Sequence, residues 1–321
     1  MTSDLDFGPA FTTSAGRRAG LSRRDLDSDM FERPFTGLRA VRTADSDETD
    51  PEASREERRQ RMIVRRALQY SVYMAEGEFF SHTTAAVLWS LPLPWLETDI
   101  IHVSVCAPDR APRGRGVRGH QLAGHAVALR RHPEHRVALS SPAATWALLG
   151  TALRHPYDLV AVADAALRVD RVAGPHGSVV APALASLAQL EAAIPFKRKG
   201  VVALREAVTR ARPGVASRPE TWMRLTLVDA GLAEPETDVD VYTDAGTFIG
   251  CVDLAYPALK IAIEYEGDHH RTDKAQWDRD IEKHDALVRA GWRVIRVTAR
   301  MLFCEPGRLV ALTRGAIRAA R

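Results

Sequence analysis

The run CVDLAYPALKIAIEYEG, residues 251–267, constrains this chain more than any other stretch. Apolar residues alternate on both sides of a short turn: Val252 and Leu254 before it, Ile261, Ile263 and Tyr265 after it. A period of two predicts two strands that share one apolar face. Asp253, Glu264 and Glu266 are then placed together on the opposite face. A two-residue loop at Ala258 and Leu259 sets the pairs 257/260, 256/261, 255/262, 254/263 and 253/264. Asp253 then opposes Glu264 with Cβ atoms about 5 Å apart, an unfavourable pairing of like charges. Converging carboxylates call for a cation, and a hard ion such as Mg²⁺ takes oxygen ligands in this way. The competing reading is the solvated face of an antiparallel sheet. Such a face normally mixes signs, whereas Lys260 at the turn end is the sole basic residue here. The residues alone leave the two readings balanced.

The pattern Asp253, then Glu264-Tyr265-Glu266, resembles the strand motifs of the PD-(D/E)xK nuclease superfamily. More narrowly, residues 210–302 resemble the Vsr-like endonuclease-domain proteins (the DUF559 group). Glu220, in SRPETWMRLTLVDAGL (217–232), matches the helical Glu of that pattern. Glu266 stands where Lys is usual, which questions Lys-assisted water activation and leaves metal binding open. The resemblance implies metal-assisted phosphodiester hydrolysis with Mg²⁺ (or Mn²⁺) on Asp253, Glu264 and the Tyr265 carbonyl. Such an ion lowers the pKa of its water and neutralises charge on the reacting phosphate. Glu266, or Glu220 through a water, is the candidate base. His270, just after the acidic strand, is a candidate for positioning water or holding the leaving phosphate; the plainer reading is a loop histidine. Arg279 and the adjacent Asp280 resemble a feature of the Vsr-like group, as phosphate contact and orienting group or as an internal ion pair.

Around this motif the sequence predicts a helix over 218–230 with Pro219 in its first turn. Glu220 there either complements the helix dipole or serves the metal. A second helix is capped by Asp273 and closed by Gly291, with stripes Asp280/His284/Leu287 and Trp277/Ile281/Val288. A buried strand follows over 291–298 and a last helix over 305–320. The order is helix, hairpin, helix, strand, helix, an α/β layer.

The N-terminal stretch reads as a small helix-turn-helix. FTTSAGRRAG (11–20) makes a helix closed by Gly20, Ser22 caps a second over 23–30, and 33–42 suits a hairpin or wing. Arg23 and Arg24 then open a recognition helix, or they lie on a solvated face with Arg23 paired to Asp27. The run resembles the winged-helix N-terminal domain of AbiEi-type antitoxins over about 40 residues, which implies DNA binding through Arg23 and Arg24. Residues 43–53 are acidic and polar, a linker by composition. Ser54 and Glu57 form a capping box for the next helix. Between 62 and 205 the pattern gives a helix over 81–94, a strand over 99–106 and helices over 141–153 and 156–168. The loop at 107–121 carries Arg110, Arg113, Arg115 and Arg118 against Asp109; it is either a phosphate-tracking element or an ordinary surface loop. His120, His125, His132 and His135 fit no common zinc spacing and read as loop and strand-edge histidines.

The expected fold class is therefore α/β: a winged helix at 1–50, a central α/β region at 51–205, and a restriction-endonuclease-like core at 206–321. The expected function is a DNA-binding, metal-dependent endonuclease. The alternative is a non-catalytic antitoxin-like DNA-binding regulator with a degenerate nuclease domain. Nucleic acid, duplex DNA first, is the expected partner, with a homodimer as a further option and no membrane. Net charge is +3 and does not itself signal nucleic acid, but of 44 basic residues only five are Lys. Arg suits bidentate phosphate contacts, and it also accompanies GC-rich coding. Three separated cysteines argue against a disulfide framework or zinc ribbon. No leader and no long apolar run is evident, so a cytoplasmic location is expected.

Overall fold

The computed structural model describes residues 8–42, 54–95, 99–123, 127–194, 199–267 and 274–320, with side chains at 274–278 left aside. The chain is mixed α/β and divides into two compact units: 1–152 with 192–199, and 153–191 with 200–321. No described helix is long and apolar enough to cross a membrane.

The first unit opens with β1 (Phe11–Thr12), α1 (Thr13–Arg18), α2 (Arg23–Leu26), β2 (Phe31–Glu32) and β3 (Leu38–Val41). The strands form a small antiparallel sheet in the order β1-β3-β2. Ser22 caps α2, as the sequence predicts, and does so in a full capping box with Asp25. The helix is shorter than expected and ends at Leu26, which packs with Phe11, Leu21 and Phe31. Next come α3 (Arg55–Ser71), β4 (Phe79–Phe80), α4 (His82–Leu88), β5 (Ile101–Cys106), β6 (Arg113–Gly114), β7 (Val117–Leu122), β8 (Leu129–Arg131), β9 (Ala138–Ser140) and α5 (Pro142–Leu148). A six-stranded sheet runs β6-β7-β5-β4-β9-β8, with β5 and β7 parallel. Phe80, Ile101, Val103 and Leu139 are fully buried with Leu38 and Ala67 in one core.

The second unit contains α6 (Pro156–Leu167), β10 (Asp170–Arg171) and β11 (Val179–Ala181). After α7 (Leu187–Ala193), where the chain passes between units, come α8 (Val201–Arg210), α9 (Arg218–Asp229), β12 (Glu236–Tyr242), β13 (Phe248–Tyr256), β14 (Ile261–Glu266), α10 (Lys274–Arg289), β15 (Arg293–Thr298), α11 (Ala299–Phe303) and α12 (Pro306–Ala319). Its sheet runs β12-β13-β14-β15, antiparallel except for the parallel β14/β15 pair. Strand β12 extends the expected hairpin into a three-stranded meander. Met223 and Leu227 of α9 pack with Leu254, Ile261, Ile263, Val297 and Leu309 on one face. Leu287 of α10 packs with Val241, Val252, Ala255 and Ala262 on the other. Ile281 and Val288, expected to form a second apolar stripe, are exposed.

Helix α6, assigned by sequence to the central region, belongs to the second unit. The reason is a buried ionic network. Asp164 of α6 accepts from Arg224 Nη2 at 2.9 Å, Thr221 Oγ1 at 2.8 Å and the Arg212 backbone N–H at 2.7 Å. Asp164 and Arg224 are fully buried, and Arg224 also donates to Glu234 at 2.7 Å. Asp158, also buried, accepts from Arg218 at 2.7 Å and from the Trp222 indole at 2.8 Å. Burying such charges is tolerable only when they are paired and hydrogen-bonded. These partners fix α9, and with it Glu220, against α6.

Candidate functional site

The hairpin register is the one expected: Leu254 pairs Ile263, Ala255 pairs Ala262 and Tyr256 pairs Ile261. The turn is a 3-10 helical turn over Pro257–Leu259, with Lys260 in the left-handed region at φ 50°, rather than a two-residue loop. Beyond Leu254↔Ile263 the ladder stops. Asp253 does not sit in a flat pair with Glu264; its Oδ2 accepts the Tyr265 backbone N–H at 2.7 Å. On the other side, β12 and β13 pair at 237/254 and 239/252 but not between, and Asp238 has φ 54°. This double irregularity breaks the alternation. Val252 joins the α10 face while Leu254 stays on the α9 face, against the expectation that both share one face. An aspartate tolerates the left-handed conformation better than most residues. The distortion turns the Asp253 carboxylate into the gap where β13 and β14 part.

Glu220 enters from α9. Its carboxylate accepts the Ala216 N–H at 2.7 Å and the Ser217 hydroxyl at 2.8 Å, closing the helix N-terminus. Glu220 is buried, and that burial, reinforced by the charge of nearby Asp253, pushes its carboxyl up to about 8. The sequence assigned this Glu to dipole complementation or to a metal site; its placement combines a cap with proximity to Asp253.

Glu264 and Glu266 each meet a cation. Lys283 of α10 reaches Glu264, and Arg296 of β15 pairs with Glu266 through both carboxylate oxygens. The Lys283 stem crosses β13 over Gly250, where a Cβ would lie 3.0 Å from Lys283 Cδ. Lys283 thus brings an ammonium from α10 to the acidic residues of the hairpin. Sequence reasoning missed Lys283, because 19 residues and a helix separate it from Glu264. Arg279 is exposed on α10, and His270 lies outside the described residues.

A second acidic group flanks the distortion. Arg171 of β10 donates to Asp238 Oδ2 at 2.7 Å and to Asp240 Oδ2 at 2.8 Å, and Cys251 donates to Asp238 Oδ1 at 3.0 Å. Arg171 holds the Asp240 carboxyl below the usual range. Burial first, then the Asp238 contact and charge, push the Cys251 thiol well up.

In the first unit, Arg23 lies 3.8 Å from Asp27, the i, i+4 pairing of the plainer reading. Asp27 also holds Arg33 at 3.0 Å and Arg39 at 2.9 Å. Arg33, Arg39, Arg66 and Arg115 line a cleft of about 720 Å³ that also contains Asp99. Arg113 and Arg118 are exposed on β6 and β7 and face each other in register. Four guanidinium groups around one cleft make a surface suited to phosphate.

Among the described residues, the side chains that could hold a metal as a group of three or more are His82, His102 and His120, their ligand atoms all within 4.8 Å of one another. The acidic residues form no such group. His120, read from the sequence as one of several loop and strand-edge histidines, lies on β7 within this group. His132 fits its plain reading: its Nε2 contacts the Leu88 carbonyl at 2.9 Å, and its Nδ1 accepts the Glu134 and His135 N–H groups. His125 lies outside the described residues.

The chain aligns with two uncharacterized Mycobacterium tuberculosis proteins, MT2308 of strain CDC 1551 / Oshkosh and Rv2248 of strain ATCC 25618 / H37Rv. Each is 31% identical over 174 residues, covering 54% of this chain and 59% of the relative. The matched stretch is thus about three-fifths of the length of these relatives. No protein-family description and no solved structure matches the chain.

Proposed function

We propose that the second unit hydrolyses phosphodiester bonds in nucleic acid with Mg²⁺ or Mn²⁺. The reading rests on one observation: a buried glutamate on α9 lies near enough to Asp253, beside the gap where β13 and β14 part, to feel its charge. Burial, and after it the charge of Asp253, pushes the Glu220 carboxyl up to about 8, and a cation beside Asp253 would offset the second of these causes. The order helix, meander, helix and strand around them supports this reading.

The donors suit a hard ion, since Asp253, Glu264 and the Tyr265 carbonyl offer only oxygen. When bound, the ion supplies an activated water and neutralises charge on the phosphate. The remaining work belongs to the chain. The Tyr265 N–H fixes the Asp253 carboxylate. Glu220, whose carboxyl is pushed up to about 8 by burial and then by the Asp253 charge, is the candidate proton acceptor, and a cation offsetting Asp253 would lower it. Lys283, which pairs with Glu264, would hold a phosphate oxygen beside such an ion. The Arg-lined cleft and Arg23/Arg24 supply backbone contacts to the substrate.

The second reading, a DNA-binding regulator without catalysis, is favoured by the ion pairs that already engage Glu264 and Glu266. The test is incubation of the full chain with plasmid, linear duplex, single-stranded DNA and RNA, with Mg²⁺, Mn²⁺ or EDTA. Cleavage that needs the metal and disappears in Asp253→Ala supports the nuclease. Metal-independent duplex binding without cleavage supports the regulator.

A further inference from the structure

We propose that His82, His102 and His120 form a transition-metal site in the first unit, suited to Zn²⁺ and unconnected with the acidic residues of the second unit. β5 and β7 run parallel with Ser104 opposite His120 and His102 opposite Arg118. His102 and Ser104 are two apart on β5, so they share a face with His120. His120 Nε2 stands 3.0 Å from His102 Nδ1. His82, the first residue of α4, stacks on His120 with ring centroids 3.9 Å apart. Three elements distant in sequence thus deliver three imidazoles to one place.

Two features separate this group from a chance cluster. Ser81 precedes α4 as its N-cap residue but makes no capping bond. A cap of that kind is worth about 1 kcal/mol. Its hydroxyl instead contacts His82 Nδ1 at 2.9 Å and Ser104 Oγ at 2.6 Å. Hydroxyl support on one ring nitrogen orients the imidazole, as outer partners do for a metal-bound histidine. His82 also sits at φ 50°, in the left-handed region that non-glycine residues rarely occupy. Backbone strain of this kind persists where the surroundings over-determine a position, and it gathers at functional sites.

The ligand set selects the ion. Imidazole alone suits zinc and its first-row neighbours, whereas Mg²⁺ and Ca²⁺ require oxygen. Three protein ligands leave a fourth position for water or an exogenous group. His82 and His102 are buried and His120 is half-buried, so access is from the His120 side.

The experiment uses the full chain, stripped with EDTA and titrated with Zn²⁺ by calorimetry and with Co²⁺ by visible absorption. One equivalent of each is expected, with a Co²⁺ ligand-field band. His120→Gln, at the exposed edge, is expected to weaken Zn²⁺ binding at least about tenfold, since even supporting residues cost that much. His135→Gln, outside the group, is the control and keeps wild-type affinity. X-ray absorption on the zinc-loaded wild type is expected to give nitrogen neighbours at about 2.0–2.1 Å, whatever the folding of the variant. Absence of saturable uptake, wild-type affinity in a folded His120→Gln, or a first shell made chiefly of oxygen would overturn the assignment.

Discussion

At the scale of single residues, Glu220 carries the clearest electrostatic signature. Between its ordinary value of 4.5 and about 8, the folded chain keeps a proton that the unfolded chain has lost. Stability therefore falls as pH rises through that window. Thermal melting from pH 5 to 8.5 without metal is expected to show this decline, and Glu220→Gln to flatten it. An unchanged slope in the variant would remove Glu220 as its source. Asp253→Asn is expected to raise the metal-free melting temperature by relieving Glu220. Glu264→Gln is expected to change it little, because a partly exposed pair with Lys283 contributes about 0–1 kcal/mol. This revises the simple pairing of Asp253 with Glu264, under which both changes stabilise equally. Mg²⁺ should stabilise the wild type by about 2.7 kcal/mol at one hundred times its Kd, and neither variant to that extent. Equal shifts in all three proteins would mean that the ion binds elsewhere.

Among the elements, α9 decides where the site lies, and the Asp164–Arg224 network decides where α9 lies. Asp164→Ala leaves Arg224 buried without its main partner, at an expected cost of about 3–5 kcal/mol. A urea midpoint close to wild type would show that the network is dispensable. This part of the fold was not legible in the sequence. Asp158 and Asp164 sit in an otherwise apolar helix and look like ordinary acidic punctuation until α9 supplies Arg218, Trp222 and Arg224. The pairs 254/263, 255/262 and 256/261 were legible from period two, although the turn is a 3-10 turn and not the two-residue loop expected. The break at Asp253 was not, because it depends on Asp238, in a strand that the sequence pattern does not announce. The His82–His102–His120 group was equally hidden, since its members come from α4, β5 and β7 and share no sequence spacing.

Across the whole molecule, the central claim joins a nucleic-acid surface in one unit to hydrolysis in the other. Arg23→Ala with Arg24→Ala tests the N-terminal head and Arg115→Ala the cleft, both in a cleavage-dead background. Removing a guanidinium that binds a phosphate is expected to lower duplex affinity and reduce the log–log salt slope by roughly one. A drop with Arg115→Ala alone would place the DNA backbone in the cleft, consistent with Arg23 being held by Asp27. No change in either variant would remove the first unit as a nucleic-acid surface. The most direct measurement for hydrolysis is the initial rate of nicking of supercoiled plasmid by wild type and by Asp253→Asn, in Mg²⁺ and in EDTA. Wild-type nicking is expected in Mg²⁺ alone, with a fall of at least about 100-fold in the variant, equivalent to ~3 kcal/mol of barrier. Nicking by Asp253→Asn at the wild-type rate, or undiminished nicking in EDTA, would contradict it.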